Sequence, residues 1–209
     1  MKKRINHILI ALAGILTVSC NAWLDVTPDN AIADDDLFST GFGYRNALNG
    51  IYTNLASDEL YGKQLSWGFL SAISQQYNQK VGTISPMYAD ASELIYNTVD
   101  TEPVVTAIWE KGYKVIANLN KLIENILPTD ISLFEYGEEE KKLIYAEALS
   151  LRAMMHFDLL RLFAPAPATN PSGTYLPYRD KYEAAVIEKS TVTDFIEKIL
   201  KDLLEAEDI

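Results

Sequence analysis

Val105, Ile108, Gly112, Ile116, Leu119, Ile123 and Ile126 recur every three or four residues without a break. That period matches the turn of an α-helix and not the two-residue alternation of a strand, so the spacing predicts one long amphipathic helix. Pro103 suits its first turn, where a missing N–H costs nothing, and Pro128 closes the other end because the residue before a proline avoids helical geometry. A second helix is predicted from about Glu138 to Phe163. It carries two apolar lines, one of Ile144, Ala148, Leu151, Met155, Leu159 and Leu162, the other of Tyr145, Leu149, Ala153, Leu160 and Phe163. A helix apolar around so much of its circumference must be covered on several sides, which calls for further helices around it.

The remaining segments supply them. Tyr44, Leu48, Ile51 and Leu55 have helical spacing, with Gly41, Gly43 and Gly50 weakening the ends of that helix. Leu65, Phe69, Ile73 and Tyr77, spaced by four, predict a helix over Leu60 to Gln79. Val81 to Glu102 has Gly82, Pro86 and no long period, so it reads as a loop with a short helix around Tyr88 to Tyr96. Ala164 to Ser190, with four prolines and Gly173, is an irregular loop. The last helix starts at a Thr191 cap, with Asp194 three residues on, and runs through Val192, Ile196, Ile199 and Leu203. The fold class is therefore all-α, built from antiparallel helix pairs of tetratricopeptide-like type joined by long irregular loops.

The N-terminus carries an address. Lys2, Lys3 and Arg4 precede an apolar run from Ile8 to Val18, the layout of a secretory signal. The run is shorter than the roughly 20 apolar residues that span a bilayer. Thr17-Val18-Ser19-Cys20 resembles a bacterial lipobox, with the usual leucine displaced one place to Leu16. Residues 1–19 are thus expected to be a lipoprotein signal peptide, Cys20 the lipidated first residue, and 20–36, rich in Asp, Asn and Thr, an extended tether. Cys20 is the chain's one cysteine, so no internal disulfide is available. Cleavage would remove three of 18 basic residues and none of 29 acidic ones, taking the formal net charge from -11 to -14. Such a surface repels phosphates and argues against nucleic-acid binding.

Four stretches stand out in order along the chain: Cys20-Asn21-Ala22-Trp23-Leu24-Asp25-Val26-Thr27-Pro28, then Leu37-Phe38-Ser39-Thr40 with Ala47-Leu48-Asn49-Gly50-Ile51-Tyr52. Trp109-Glu110-Lys111-Gly112-Tyr113 follows, and the strongest is Tyr145-Ala146-Glu147-Ala148-Leu149-Ser150-Leu151-Arg152-Ala153 running on through His156 to Phe163. Together they resemble the SusD/RagB family of outer-membrane nutrient-binding lipoproteins. The resemblance implies tetratricopeptide-like helix pairs, a lipid-anchored position on the outer membrane facing the exterior, and capture of oligosaccharides or polysaccharides. It also implies a partner, a SusC-like TonB-dependent transporter. Gly41 and Gly43 depart from the helix-favouring residues usual after Phe38-Ser39-Thr40, which leaves the start of that helix open. The sequence is also much shorter than members of the family, so residues 37–209 read as its N-terminal helical domain, with Ile209 a truncation point.

Enzymatic chemistry finds little to work with. Beyond the leader His156 is the single histidine, too few for a metal cluster or a Ser-His-Asp triad, and no cofactor motif is present. On a mostly apolar helix it reads as a packed, hydrogen-bonded residue, and Arg152, Asp158 and Arg161 as ion pairs fixing helix packing. The acidic residues occur as runs, Asp34-Asp35-Asp36 and Glu138-Glu139-Glu140, and no pair suited to glycoside hydrolysis stands out. Sugar binding needs aromatic faces for C–H stacking and side chains that bond hydroxyls. Trp67, Gln75, Tyr77, Asn78, Tyr88, Asp90 and Tyr96, in the loop-rich middle, supply both and form the candidate ligand face, whereas Trp109 and Tyr113 fall in the helical period and read as scaffold. The runner-up function is a helical-repeat scaffold that binds proteins at the outer membrane and no sugar.

Overall fold

Two long helices, lying antiparallel, organise everything else. The computed structural model describes residues 34–76 and 85–209. In chain order the helices are α1 (Asp34–Leu37), α2 (Gly41–Leu55), α3 (Phe69–Ile73), α4 (Pro86–Ser92), α5 (Glu102–Ile126), α6 (Gly137–Phe163) and α7 (Val192–Glu207). A 3₁₀ turn at Ile131–Leu133 joins α5 to α6. Sheet among the described residues is confined to β1 (Thr174–Leu176) and β2 (Ser190–Thr191), an antiparallel pair inside the proline-rich loop. Helix dominates, as the periodicity predicts. Among the described residues no helix is long and apolar enough to cross a membrane.

α5 buries Ile108, Val115, Ile116, Leu119, Leu122, Ile123 and Ile126 along one face. At Gly112 a β-carbon would stand 3.1 Å from Leu159 Cδ2, so the Leu159 side chain of α6 packs directly on the α5 backbone there. α6 packs against both α5 and α7, and α2 lies on α5. Residue pairs give the directions: Asn120 meets Arg152, Arg152 meets Asp202, and Tyr44 reaches the carbonyl of Asn125. With Gly112 facing Leu159 and Tyr145 reaching Glu205, α5 and α6 run antiparallel, as do α6 and α7, whereas α2 lies parallel to α6, Arg45 meeting Glu140 and Tyr52 meeting Glu147. α7 begins at the expected cap, where Thr191 Oγ1 accepts the Asp194 N–H at 3.1 Å.

Two expected elements come out differently. The helix predicted over Leu60 to Gln79 is realised as successive turns from Ala56 to Trp67, followed by only the five residues of α3. Leu60, Leu65 and Phe69 are nonetheless buried, so their four-residue spacing reports burial and not helix. Glycines explain the difference: a β-carbon at Gly62 would lie 2.3 Å from the Ala56 carbonyl oxygen, and one at Gly68 2.8 Å from that of Lys63. The helix expected around Tyr88 to Tyr96 starts and stops earlier, because Leu94 turns left-handed (φ 59°) and the Ile95 N–H bonds back to the Asp90 carbonyl. At the other glycine pair the helix does start: α2 begins at Gly41 itself. A β-carbon at Gly43 would fall 1.6 Å from the Leu37 carbonyl oxygen, and one at Gly41 2.6 Å from that of Leu133. The leader, Cys20, Tyr77 and Asn78 lie outside the described residues.

A buried polar network fastens the long loop to the bundle. Arg152 on α6 forks onto the Asp202 carboxylate of α7, Nε to Oδ2 and Nη2 to Oδ1 at 2.7 Å each. Its Nη1 donates to Asn120 Oδ1 on α5 at 2.8 Å and to the Asp180 carbonyl at 3.3 Å. Asn120 in turn donates to the carbonyls of Arg179 and Lys181, and Tyr178 donates its hydroxyl to Asp202 Oδ2. His156 lies flat against Tyr178, ring centroids 3.9 Å apart. The Arg179 N–H can only donate, so His156 Nε2 is the acceptor and Nδ1–H bonds the Arg152 carbonyl. The structural reading of His156 and Arg152 holds. Burial works against charging Arg152, yet hydrogen bonds and charge from Asp202 hold its pKa above the usual value. Burial drives His156 down to about 3.

Arg152→Met strands a buried carboxylate and should cost about 3–5 kcal/mol in urea denaturation, whereas Arg152→Met with Asp202→Leu should recover much of it. His156 makes a second, acid-side contribution. The unfolded ring takes up a proton near pH 6.5 and the folded one only near 3. Stability therefore falls as pH drops through that window, by up to about 1.4 kcal/mol per pH unit from this group. Between pH 6.5 and 5 the denaturation midpoints of a His156→Gln variant should change less with pH than those of the wild type.

Candidate functional site

Where the C-terminal end of α6 passes α3 and the loop after α4, the surface opens into a cleft of about 170 Å³. Leu65, Leu70 and Ile73 give it apolar walls, Tyr96 closes one side, and Asp158, Arg161 and Leu162 of α6 complete it. Tyr96 is positioned by the left-handed turn at Leu94 and by Phe69, whose ring centroid is 6.0 Å away. Burial raises the Tyr96 phenol, so at neutral pH it keeps its proton as a donor.

Asp158 and Arg161 are three residues apart on α6, so they share a face and pair directly. Asp158 also accepts the Tyr61 hydroxyl at 2.5 Å. Burial, then the hydrogen bond and charge of Asp158, push the Tyr61 phenol upward, so it stays a donor. Asp158 is buried while the Arg161 side chain is half exposed, its guanidinium 5.0 Å over the Phe157 ring. The cleft thus offers apolar walls, a tyrosine face and hydroxyl, a fixed carboxylate that accepts, and a guanidinium fork that donates. One carboxylate lines it. Among the described residues no three His, Cys, Asp or Glu side chains gather as a metal-binding group.

The candidate residues are distributed unevenly around this feature. Tyr96 lines the cleft. Gln75, itself left-handed (φ 56°), reaches across from α3 to the Ser92 carbonyl at 3.4 Å, which ties α3 to α4. Asp90 accepts the Thr98 hydroxyl at 2.8 Å and shapes the loop that carries Tyr96. Tyr88 packs against the core. Trp67 is 57% exposed, its indole N–H bonded to the Gly62 carbonyl and Lys63 Nζ 5.7 Å from its ring, away from the cleft lining. Trp109 and Tyr113 are scaffold: their rings pack at a tilt, centroids 4.8 Å apart, and Trp109 meets Phe163 edge-on. Sequence reasoning places Asp158 and Arg161 in helix packing. They do pair, but at a cleft, and the signal for that was their position in the last turns of α6, just before the loop.

A family model described as starch-binding and associating with the outer membrane matches residues 22–209. The chain belongs to the SusD-like family. SusD-like protein P2 of Formosa agariphila is 24% identical over 206 residues, covering 97% of this chain and 37% of its own length. SusD-like protein P38 of the same organism is 26% identical over 204 residues, with 97% and 36% covered. Among solved structures, a SusD-like carbohydrate binding protein from Bacteroides vulgatus superposes with a TM-score of 0.61 at 19% identity, over 81% of this chain and 35% of that one. A SusD superfamily protein from Bacteroides fragilis gives 0.64 at 21%, over 81% and 39%. These structures share the all-α SusD-like fold with this chain. The chain spans little more than a third of the length of the curated relatives it matches.

Proposed function

We propose that this SusD-like chain is a glycan-capturing domain that works at the outer membrane. The observation that carries the reading is the α6 cleft, set in a chain that matches a starch-binding family over residues 22–209. A pyranose ring has apolar C–H faces and a rim of hydroxyls. Leu65, Leu70, Ile73 and Tyr96 can take the faces, while Asp158 and Arg161 take the hydroxyls. The action is capture without bond chemistry, since glycoside hydrolysis uses two carboxylates roughly 5 to 10 Å apart and the cleft is lined by one. Trp67, Gln75, Tyr77, Asn78, Tyr88 and Asp90 flank Tyr96 in sequence, and we assign them to the wider ligand face and its support.

The proposed arrangement places residues 1–19 as a leader, Cys20 as the lipid attachment, 20–36 as the tether and 37–209 as the helical domain. Anchored in this way, the domain faces the exterior and hands its glycan to a SusC-like TonB-dependent transporter. Several acyl chains on one cysteine, each methylene contributing about 0.8 kcal/mol, make a firm anchor.

Native gels cast with polysaccharides test the capture step. A polymer that retards the wild type should retard Tyr96→Ala far less, with affinity about tenfold weaker for a lost stacking face worth about 1.4 kcal/mol. Val186→Ser, at a fully exposed position, should leave retardation unchanged. Equal retardation of Tyr96→Ala and wild type contradicts the assignment. Mass spectrometry of membrane-extracted protein should show an acylated Cys20 as the first residue, and an unmodified residue 20 contradicts the anchor.

A further inference from the structure

At the opposite end of α6 lies a second groove, of about 610 Å³. It is bordered by the start of α2, the 3₁₀ turn and the first turn of α6, with Phe42, Arg45, Leu133, Tyr136 and Glu140 among its lining. Phe42 is 75% exposed and Tyr136 72%, the two most exposed aromatic rings among the described residues. A single exposed ring needs no explanation. Two on the border of one groove, with fixed polar groups in its lining, do.

Phe42 stands between Gly41 and Gly43, at neither of which a side chain fits. The backbone on either side is pressed against the Leu133 and Leu37 carbonyls, so Phe42 is the residue of this turn that can project. Tyr136 precedes Gly137, whose left-handed backbone (φ 61°) opens α6. The polar groups are fixed as well. Glu140 Oε1 accepts from Arg45 Nη2 at 3.3 Å, and Glu140 Oε2 accepts the Tyr136 N–H at 3.2 Å. Arg45 carries further N–H donors, and Thr40 and Ser132 also line the groove.

The geometry points to a second glycan-contact groove, formed by Phe42 and Tyr136 over the Arg45–Glu140 pair, that engages the same polysaccharide chain as the α6 cleft. The proposal rests on the sugar-capture reading of that cleft. The groove resembles it in chemistry, with aromatic faces beside a guanidinium–carboxylate pair, and adds a second carboxylate, Glu135, as a further acceptor. Mixed charge and an open border suit a hydroxylated chain, whereas an apolar partner helix would meet the Arg45–Glu140 pair in the middle of its contact. Eighteen residues of one helix separate Glu140 from Asp158, about 27 Å at 1.5 Å per residue. A rigid rod with a contact at each end favours long chains over short ones. Once one end is held, the other binds at raised effective concentration, and avidity exceeds either single affinity.

Native gels containing amylopectin, xylan, alginate or pectin, run with wild type, Tyr96→Ala and Phe42→Ala/Tyr136→Ala, test this. All substituted side chains are at least partly exposed, so folding is preserved and is checked by circular dichroism. In a gel that retards the wild type, each variant should be released, with affinity at least about tenfold weaker for loss of one of two linked contacts. In calorimetry, the trisaccharide fraction of that same polymer should bind the Phe42→Ala/Tyr136→Ala variant at its remaining cleft within about twofold of wild type. If that variant runs like wild type while Tyr96→Ala is released, the groove is overturned and the cleft reading stands. If only the groove variant is released, the cleft reading fails and the two-ended arrangement with it. Retardation of the wild type by none of the four polymers overturns both.

Discussion

The fork of Arg152 onto Asp202 is the contact on which the described domain most depends. It joins α6 to α7, and through Asn120 and the Asp180 carbonyl it also holds α5 and the loop that follows α6. A guanidinium removed from water is tolerated only when its hydrogen bonds are met, and here four are. Tyr178 and His156 seal the pair from above, the imidazole held neutral by its burial. With α6 fixed along its middle, its two ends become reliable places from which to present side chains. A glycan contact gains from that, because stacking and hydroxyl bonding both fail when positions drift by an ångström or so.

The chain is acidic, yet the α6 cleft and the second groove each carry an arginine paired to a carboxylate: Arg161 with Asp158 at one, Arg45 with Glu140 at the other. Such a fork sets donors and acceptors side by side, which suits sugar hydroxyls. The aromatic residues divide by role in the same way. Trp109, Tyr113 and Tyr44 pack inward or against one another, while Tyr96, Phe42 and Tyr136 line the concave surfaces.

Much of this was legible in the residues. The long helices announce themselves because burying one face of α5 and several of α6 demands apolar residues at helical spacing, and Thr191 marks its cap by side-chain chemistry. The SusD-like resemblance, carried by four short stretches, agrees with a family match over residues 22–209. What stayed hidden depends on contacts between distant segments. The spacing of Leu60, Leu65 and Phe69 looks helical, but Gly62 and Gly68 are compact because of carbonyls that approach them in a chain of turns. Gly41 and Gly43 look like a weak helix start, yet Thr40 caps α2 by accepting the Gly43 N–H, and the Leu133 and Leu37 carbonyls approach where only glycine fits. Tyr96 was readable as an exposed aromatic in a loop. That Asp158 and Arg161 meet it was not, because their partners lie more than 60 residues away along the chain.

Glycan capture by this domain stands on the α6 cleft taking a sugar ring. Its most direct test is a heteronuclear NMR titration of the protein, labelled at arginine side chains and tyrosine rings, with malto-oligosaccharides and with fragments of other polysaccharides. The account predicts that a binding fragment shifts the Arg161 side-chain and Tyr96 ring signals together, while the buried Arg152 and Tyr178 signals stay in place. A fragment that binds yet leaves Arg161 and Tyr96 unmoved would contradict it.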